Sequence, residues 1–481
     1  MEYHEVRLQE LKANNLRRAK ELVDDYLSDQ DTVIMLPGGG GSELLQSDKS
    51  YAKKTPGKFI YDPVWIDIGI VNPFKPDAYE LFIKDNGRDE RDRIIIPKGS
   101  LNYSVKAYDG TKKYFRSLKY NYKEFGFDWR RPIAEWAGFL EEFLTIFRDG
   151  VMANNHPNPL PRTTLICHSH GGLIAIQFLQ KIFYGKDVNE HDVSQWIDRV
   201  ITVGTPFYAN SNHIKRYYRG EKALPESIYK KKRLAKTMGS MPGPYIFLYL
   251  DKESYENDKN TLSNDRHPLI GYPVIDADDQ NIEVDPFEES SFRRFPPWVN
   301  REYLKAAKEA RHEYLKELPD AVKDRIFHLR GINNEKTLIK LRWRNINGSA
   351  YEPENGGSPI KAKDEDYGPG DGTVPAWGAR LAQIPLDRIY DLKKAKEHRD
   401  LMEHEETLKV MEFIIREKRL PIKMDVKNTK YVGVKTESRP SVSNFLLGLE
   451  GKTKEQAKTM IEEKAKNPEF VRAIIEEIDF G

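Results

Sequence analysis

A serine stands between two histidines in the stretch Thr163-Thr-Leu-Ile-Cys-His-Ser-His-Gly-Gly172, where an apolar run gives way to a helical apolar pattern. Polar side chains gathered at such a junction are costly to desolvate unless something uses them. Strand, small-x-Ser-x-Gly, helix is the spacing of a nucleophile elbow. The sharp turn lifts Ser169 Oγ clear of the sheet end, and the next backbone N–H, that of His170, faces the oxyanion that forms on an attacked carbonyl. Such a turn needs small residues two before and two after the serine. Gly171 satisfies this, whereas Cys167 is a departure that asks for a slightly wider turn; its expected state is a small, unreactive buried thiol.

A hydroxyl is a poor nucleophile until a base takes its proton, so a carboxylate and a histidine are sought downstream, in the chain order serine, acid, histidine. Asp371 lies in Gly368-Pro-Gly-Asp-Gly-Thr-Val-Pro375, among turn-forming residues with no bulky neighbour. His398 follows the apolar run 388–392, in Glu397-His-Arg-Asp-Leu401. His404 competes with it, but residues 401–408 read as helix, which favours His398. The run Pro37-Gly-Gly-Gly-Gly-Ser42 lets backbone N–H groups approach a substrate carbonyl. Its rival reading, a phosphate cradle, lacks the Gly-Lys-Ser/Thr ending. A zinc site built from His168, His170 and His398 lacks a further ligand at metal-site spacing, so no metal is expected.

The elements that must position these groups read as an α/β-hydrolase fold. Residues 31–36, 165–166, 199–203, 326–329 and 388–392 are short apolar runs bounded by Gly, Pro or charge. Helical periodicity covers 5–27, 133–148 and 171–183. Strands without alternation, separated by helices, predict a mostly parallel sheet covered on both faces. The expected organisation is an N-terminal helix (1–30), a first half of the core (31–208), an inserted cap (209–320), a second half of the core (321–420) and a largely helical C-terminal extension (421–481). Within the cap, 213–236 is basic with tyrosines interleaved, 276–289 is acidic, and 293–318 reads as a charged helix opened by Phe295-Pro-Pro-Trp298. The basic segment has two readings: a surface drawn to anionic membranes, at about 1 kcal/mol per basic residue, or a solvated face paired with the acidic stretch, which is favoured. The extension has a β-like piece at 430–434 and helices opened by a capping box at Thr453 and by Asn467-Pro468.

Length and composition bound the rest. A chain of 481 residues has room for one large domain with insertions or for two to three domains. A net charge of only +2 gives no reason to expect nucleic acid. The N-terminus is charged throughout and lacks the apolar segment of a secretory signal, and no apolar run reaches membrane-spanning length. The single cysteine fits a reducing compartment. The expected location is cytoplasmic, although an exported chain whose signal had been removed would look the same.

Several motifs taken together resemble the lecithin:cholesterol acyltransferase and lysosomal phospholipase family. They are Pro37-Gly with Gly41-Ser42, Trp65-Ile-Asp67, Phe127-Asp-Trp-Arg130, the elbow at Ser169, Gly204-Thr-Pro206 and Gly370-Asp-Gly-Thr-Val-Pro375, in the family's order. Met238-Gly-Ser-Met-Pro-Gly-Pro-Tyr245 is similar to the segment before that family's cap. The resemblance spans about residues 31–415. It implies a serine lipase or acyltransferase acting on acyl esters, without a cofactor, with Ser169, Asp371 and His398 as the triad. It also implies that Gly39 supplies the second oxyanion N–H beside that of His170. Family members commonly carry a signal peptide and disulfides, which this chain does not. For Asp128-Trp-Arg130 the expected role is scaffold: Trp129 packed in the core and Asp128 paired with Arg130. The expected partner is a lipid or other acyl-ester substrate, with transient contact to a membrane surface. Two further readings stay open: a hydrolase fold kept as a binding module without turnover, and an esterase or thioesterase for small substrates.

Overall fold

The computed structural model describes residues 3–47, 63–65, 81–85, 87–89, 92–100, 108–154, 162–210, 213–219, 231–345, 360–395 and 397–421. The expected β-piece at 430–434 and the helices near Thr453 and Asn467 lie outside the described residues.

Strands β1 (Thr32–Leu36), β2 (Asn121–Glu124), β3 (Thr163–His168), β4 (Arg199–Val203), β5 (Ile326–Gly331) and β6 (Ile389–Leu392) form one sheet. Its order is β6-β5-β4-β3-β1-β2, and every pairing is parallel. The chain leaves β1 for the edge at β2 and comes back to the other side of β1 at β3. This reversal opens a crevice beyond the strands' carboxyl ends, where open α/β sheets bind ligands.

Although the strands look uniformly apolar, their residues sort by twos onto two cores. Ile34, Leu36, Leu165, Cys167, Val200 and Ile326 join one cluster with helices α1 (Tyr3–Asp24), α3 (Ile133–Ala153) and α4 (His170–Phe183). Val33, Met35, Ile166, Ile201, Val203, Phe327 and Leu329 join the other, with α2 (Asp109–Ser117) and α6 (Glu405–Glu417). Burial on both faces is what made the runs continuous in sequence. The result is an α/β-hydrolase fold. Among the described residues no helix is long and apolar enough to cross a membrane.

Helix α1 lies on α3, pinned by Asn15 Nδ2 donating to Phe139 O at 2.9 Å and by an Arg7–Glu135 ion pair. Asp128-Trp-Arg130 is scaffold: Arg130 grips Asp128 through Nε–Oδ1 at 2.8 Å and Nη2–Oδ2 at 2.7 Å, and Trp129 is buried. Arg130 O in turn accepts from Gly243 N at 2.9 Å. That bond ties Gly243 to this scaffold.

The structure differs from the sequence reading in four places. Strand β2, Asn121-Tyr-Lys-Glu, carries no apolar run and was not expected; neither was a small antiparallel sheet of Ser42–Gln46, Pro63–Trp65 and Ile95–Ser100. The helix expected over 293–318 begins only at Arg301, forming α5 (Arg301–Leu315), because Pro296-Pro297 block it and Asn300 Oδ1 caps it by accepting from Glu302 N. The start of the basic segment is no solvated face. His213, Arg216, Tyr217 and Tyr218 are buried, and Tyr218 Oη accepts from Trp343 Nε1 at 2.8 Å. Among the described residues, the acidic stretch pairs Asp276 with Arg294 and Glu283 with Lys252.

Candidate active site

Ser169 is the residue between β3 and α4, and its backbone is left-handed, with φ 49°. A non-glycine residue held there costs on the order of 1–3 kcal/mol, which the surrounding structure must supply. The turn is this tight because the helix it starts is pressed onto neighbouring backbone. A Cβ on Gly171 would lie 2.6 Å from Leu36 O and 2.7 Å from Pro37 O, and one on Gly172 would lie 2.0 Å from Thr205 Oγ1. Cys167 fits because its side chain points into the main core, where burial pushes the thiol well above its ordinary pKa and leaves it unreactive. A Gly171→Ala variant is expected to wedge α4 away from β1 and lose about 1–3 kcal/mol of stability. A thermal melt indistinguishable from wild type would refute the close packing.

Asp371 and His398 come from the loops after β5 and β6 and meet at this turn. His398 Nδ1 lies 2.7 Å from Asp371 Oδ2, with both side chains buried. Asp371 Oδ1 is held separately, by Thr373 N at 3.0 Å and Val374 N at 2.7 Å. Ser169 N donates to Val203 O at 2.9 Å, which seats the serine beside Gly204. Gly204 has φ 58°, and a Cβ on it would stand 3.0 Å from Asp371 Oδ2 and 3.1 Å from His398 Cε1. Asp371 and His398 therefore meet beside Gly204, and the Ser169 backbone is bonded to the residue before it, Val203. Ser169 Oγ is fully buried and has no hydrogen-bond partner among the described residues.

His404 is elsewhere. It sits at the N-cap of α6, not inside a helix as expected, and its Nδ1 accepts from Glu406 N at 3.2 Å. In the glycine run, Gly38 packs against the elbow: a Cβ there would lie 2.9 Å from His168 Nδ1 and 3.1 Å from Ser169 Cβ. Its N–H is taken by Tyr108 Oη at 2.8 Å, which leaves Gly39 as the next donor along the turn. His170 opens α4, where a backbone N–H has no partner within its own helix. Its ring is wedged edge-on against Phe127 and Phe247.

Sequence reasoning missed Tyr108 and Glu403, and weighed His168 only as a zinc ligand. Tyr108 Oη is 2.9 Å from His168 Nδ1, and His168 Nε2 is 3.1 Å from His398 O. Glu403 accepts from Gly110 N with both oxygens at 2.9 Å. Ala107-Tyr-Asp-Gly110 follows no periodic pattern that would mark Tyr108; the one available signal was the histidine directly before the serine.

Burial also sets charge. His168, His213 and His328 are held well below the usual histidine range by desolvation, and His170 is pushed down to about 3. Glu403 is pushed up to about 7 by its own burial. In the unfolded chain the four histidines take up protons near pH 6.5, and in the folded chain they do not. Stability is therefore whole above pH 6.5 and falls as the pH drops below it. Glu403 opposes this, because its folded form binds a proton first. The expected result is a loss of stability between pH 6.5 and 5.5, since four histidines outweigh one glutamate. Urea unfolding at those two pH values measures it, and equal midpoints would contradict the neutral, buried histidines.

No family model and no curated protein matches this chain. Among solved structures, the Tle4-Tli4 complex aligns over 80% of this chain and 96% of the other at 11% identity, with a TM-score of 0.45. A lin2722 gene product from Listeria innocua covers 82% and 96% at 12% identity (TM-score 0.30). The lipase BlEst2 from Bacillus licheniformis in its mature form covers 81% and 93% at 12% (TM-score 0.27). Likenesses this loose leave activity to be argued from the site itself.

Proposed function

We propose that this protein is a serine hydrolase that cleaves or transfers the acyl groups of lipid esters, with Ser169 as nucleophile, His398 as base and Asp371 as its orienting carboxylate. The observation that carries the reading is the buried 2.7 Å His398–Asp371 pair beside a left-handed serine elbow. Asp371 on Nδ1 leaves Nε2 as the ring nitrogen that takes the serine proton. Ser169 Oγ then bonds to the acyl carbon, and the carbonyl oxygen becomes an oxyanion met by the N–H groups of His170 and Gly39. The protonated imidazole gives its proton to the departing alkoxide. Water, deprotonated by the same nitrogen, releases the acid; an alcohol in its place gives acyl transfer. No cofactor enters these steps.

A lipid acyl chain is in keeping with the apolar surroundings of the elbow, where Phe127 and Phe247 are buried against the His170 ring. The order of motifs favours a phospholipase or acyltransferase of the lecithin:cholesterol acyltransferase type over a small-ester or thioester hydrolase. One observation favours the rival, a binding module without turnover: Ser169 is 0% exposed, so substrate reaches it only if the residues around it move. An alkyl fluorophosphonate decides between them. With phospholipid vesicles present, the active enzyme forms an adduct on the peptide containing Ser169 and hydrolyses p-nitrophenyl esters faster as the chain lengthens. A folded wild type that forms no adduct and turns over neither esters nor phospholipid overturns the reading.

A further inference from the structure

We propose that Tyr108 and His168 are positioning residues that lock the oxyanion loop to the loop of the catalytic histidine. The proposal rests on the acyl-transfer reading of Ser169 and His398. Its basis is an unbroken chain of three hydrogen bonds whose directions are forced. His398 O is a carbonyl and only accepts, so His168 Nε2, 3.1 Å away, carries the proton. In a neutral imidazole Nδ1 is then bare and accepts, so the bond of 2.9 Å to Tyr108 runs from the phenol O–H to Nδ1. The phenol oxygen in turn accepts from Gly38 N–H at 2.8 Å. Each donor meets one acceptor, and one histidine tautomer alone satisfies the series. Desolvation, which keeps His168 neutral, keeps that pattern intact.

Both ends of the chain are tightly held. Gly38 has no room for a side chain between His168, Ser169 and Tyr108. The residues after Tyr108 grip the turn that bears His398: Gly110 N donates to Glu403, and Thr111 Oγ1 donates to Met402 O at 2.5 Å. The segment 108–111 thus reaches the glycine loop after β1 on one side and residues 398–403 on the other. Those two loops carry the groups that must stay in register as the oxyanion forms and the proton moves. Neither Tyr108 nor His168 is placed to touch substrate; both act through Gly38 and His398.

The test is steady-state kinetics on the full chain, comparing wild type with Tyr108→Phe, His168→Gln and His168→Asn. Phenylalanine keeps the ring and removes the link. Glutamine reaches the position of Nε2 but not Tyr108, and asparagine reaches Tyr108 but not His398 O. Tyr108→Phe removes two of the three bonds and each His168 variant removes one, so every variant interrupts the chain. Each is expected to lower kcat for a soluble p-nitrophenyl ester by about 10- to 100-fold while KM stays within about twofold. The rate of fluorophosphonate labelling should fall in step. Because both substitutions interrupt the same chain, the Tyr108→Phe/His168→Asn double variant should lose little more than the worse single one. Should Tyr108→Phe not fold, the two His168 variants decide the question. A folded single variant with wild-type kcat, or losses that multiply in the double variant, overturns the positioning role and leaves the acyl-transfer reading standing. A wild type without turnover or adduct overturns both.

Discussion

Ser169→Ala is expected to lower ester turnover by roughly 10⁴- to 10⁶-fold, the scale on which removal of a triad nucleophile acts, while leaving the protein as stable as wild type or more so. The two outcomes share one cause. Ser169 Oγ is buried without a hydrogen-bond partner among the described residues, and such an orphaned hydroxyl costs about 1–3 kcal/mol. Alanine removes that cost and keeps the Cβ that packs beside Gly38. Glycine in the same place would also relieve the left-handed backbone strain and should be the more stable of the two. Function held against stability in this way is the mark of a site kept for chemistry. Turnover and thermal melts of both variants check it. Retained turnover removes Ser169 as nucleophile, and a clear loss of stability would mean that the hydroxyl serves the fold.

The parts of this arrangement visible in the sequence are those that local rules dictate. A serine two residues before Gly171 announces its own turn, because no other residue type clears Leu36 O and Pro37 O at that spot. Asp371 was legible from the turn-forming residues around it, and His398 because it sits in a short loop that follows an apolar strand, and parallel strands deliver such loops to one edge of a sheet. Tyr108 was not legible. Its partners, Gly38 and His168, lie 70 and 60 positions away, and only the stacking order of β1, β2 and β3 brings them within reach. Strand β2 escaped notice for a related reason. Asn121-Tyr-Lys-Glu is held at the sheet edge by backbone pairing to β1 and by Asn121, whose amide donates to Leu27 O and Gln30 O, and neither leaves an apolar pattern. The basic, tyrosine-rich segment misled in the opposite direction. Its lysines and arginines suggest solvent, but Tyr217 and Tyr218 join the main hydrophobic cluster, and ring burial outweighs the charge around them.

Asp371→Asn is expected to lower kcat by about 10⁴-fold with little loss of stability, and the reason lies in which oxygen faces the histidine. Thr373 N and Val374 N both donate to Oδ1, at 3.0 and 2.7 Å. An asparagine must turn its carbonyl oxygen to those two N–H groups, since its NH₂ has no lone pair to offer them. The NH₂ then occupies the place of Oδ2 and points at His398 Nδ1, where it donates. Nδ1 answers as an acceptor only by giving up its proton, and the neutral ring then carries its hydrogen on Nε2. In that tautomer the nitrogen that must receive the serine proton is already occupied. Asp371→Ala makes the contrast: it also strips the acceptor from Thr373 and Val374, so it should destabilise the loop as well as abolish turnover. Kinetics and thermal melts of the two variants separate orientation from scaffolding. If Asp371→Asn keeps turnover within tenfold of wild type, His398 does not depend on this carboxylate, and the base must be sought elsewhere.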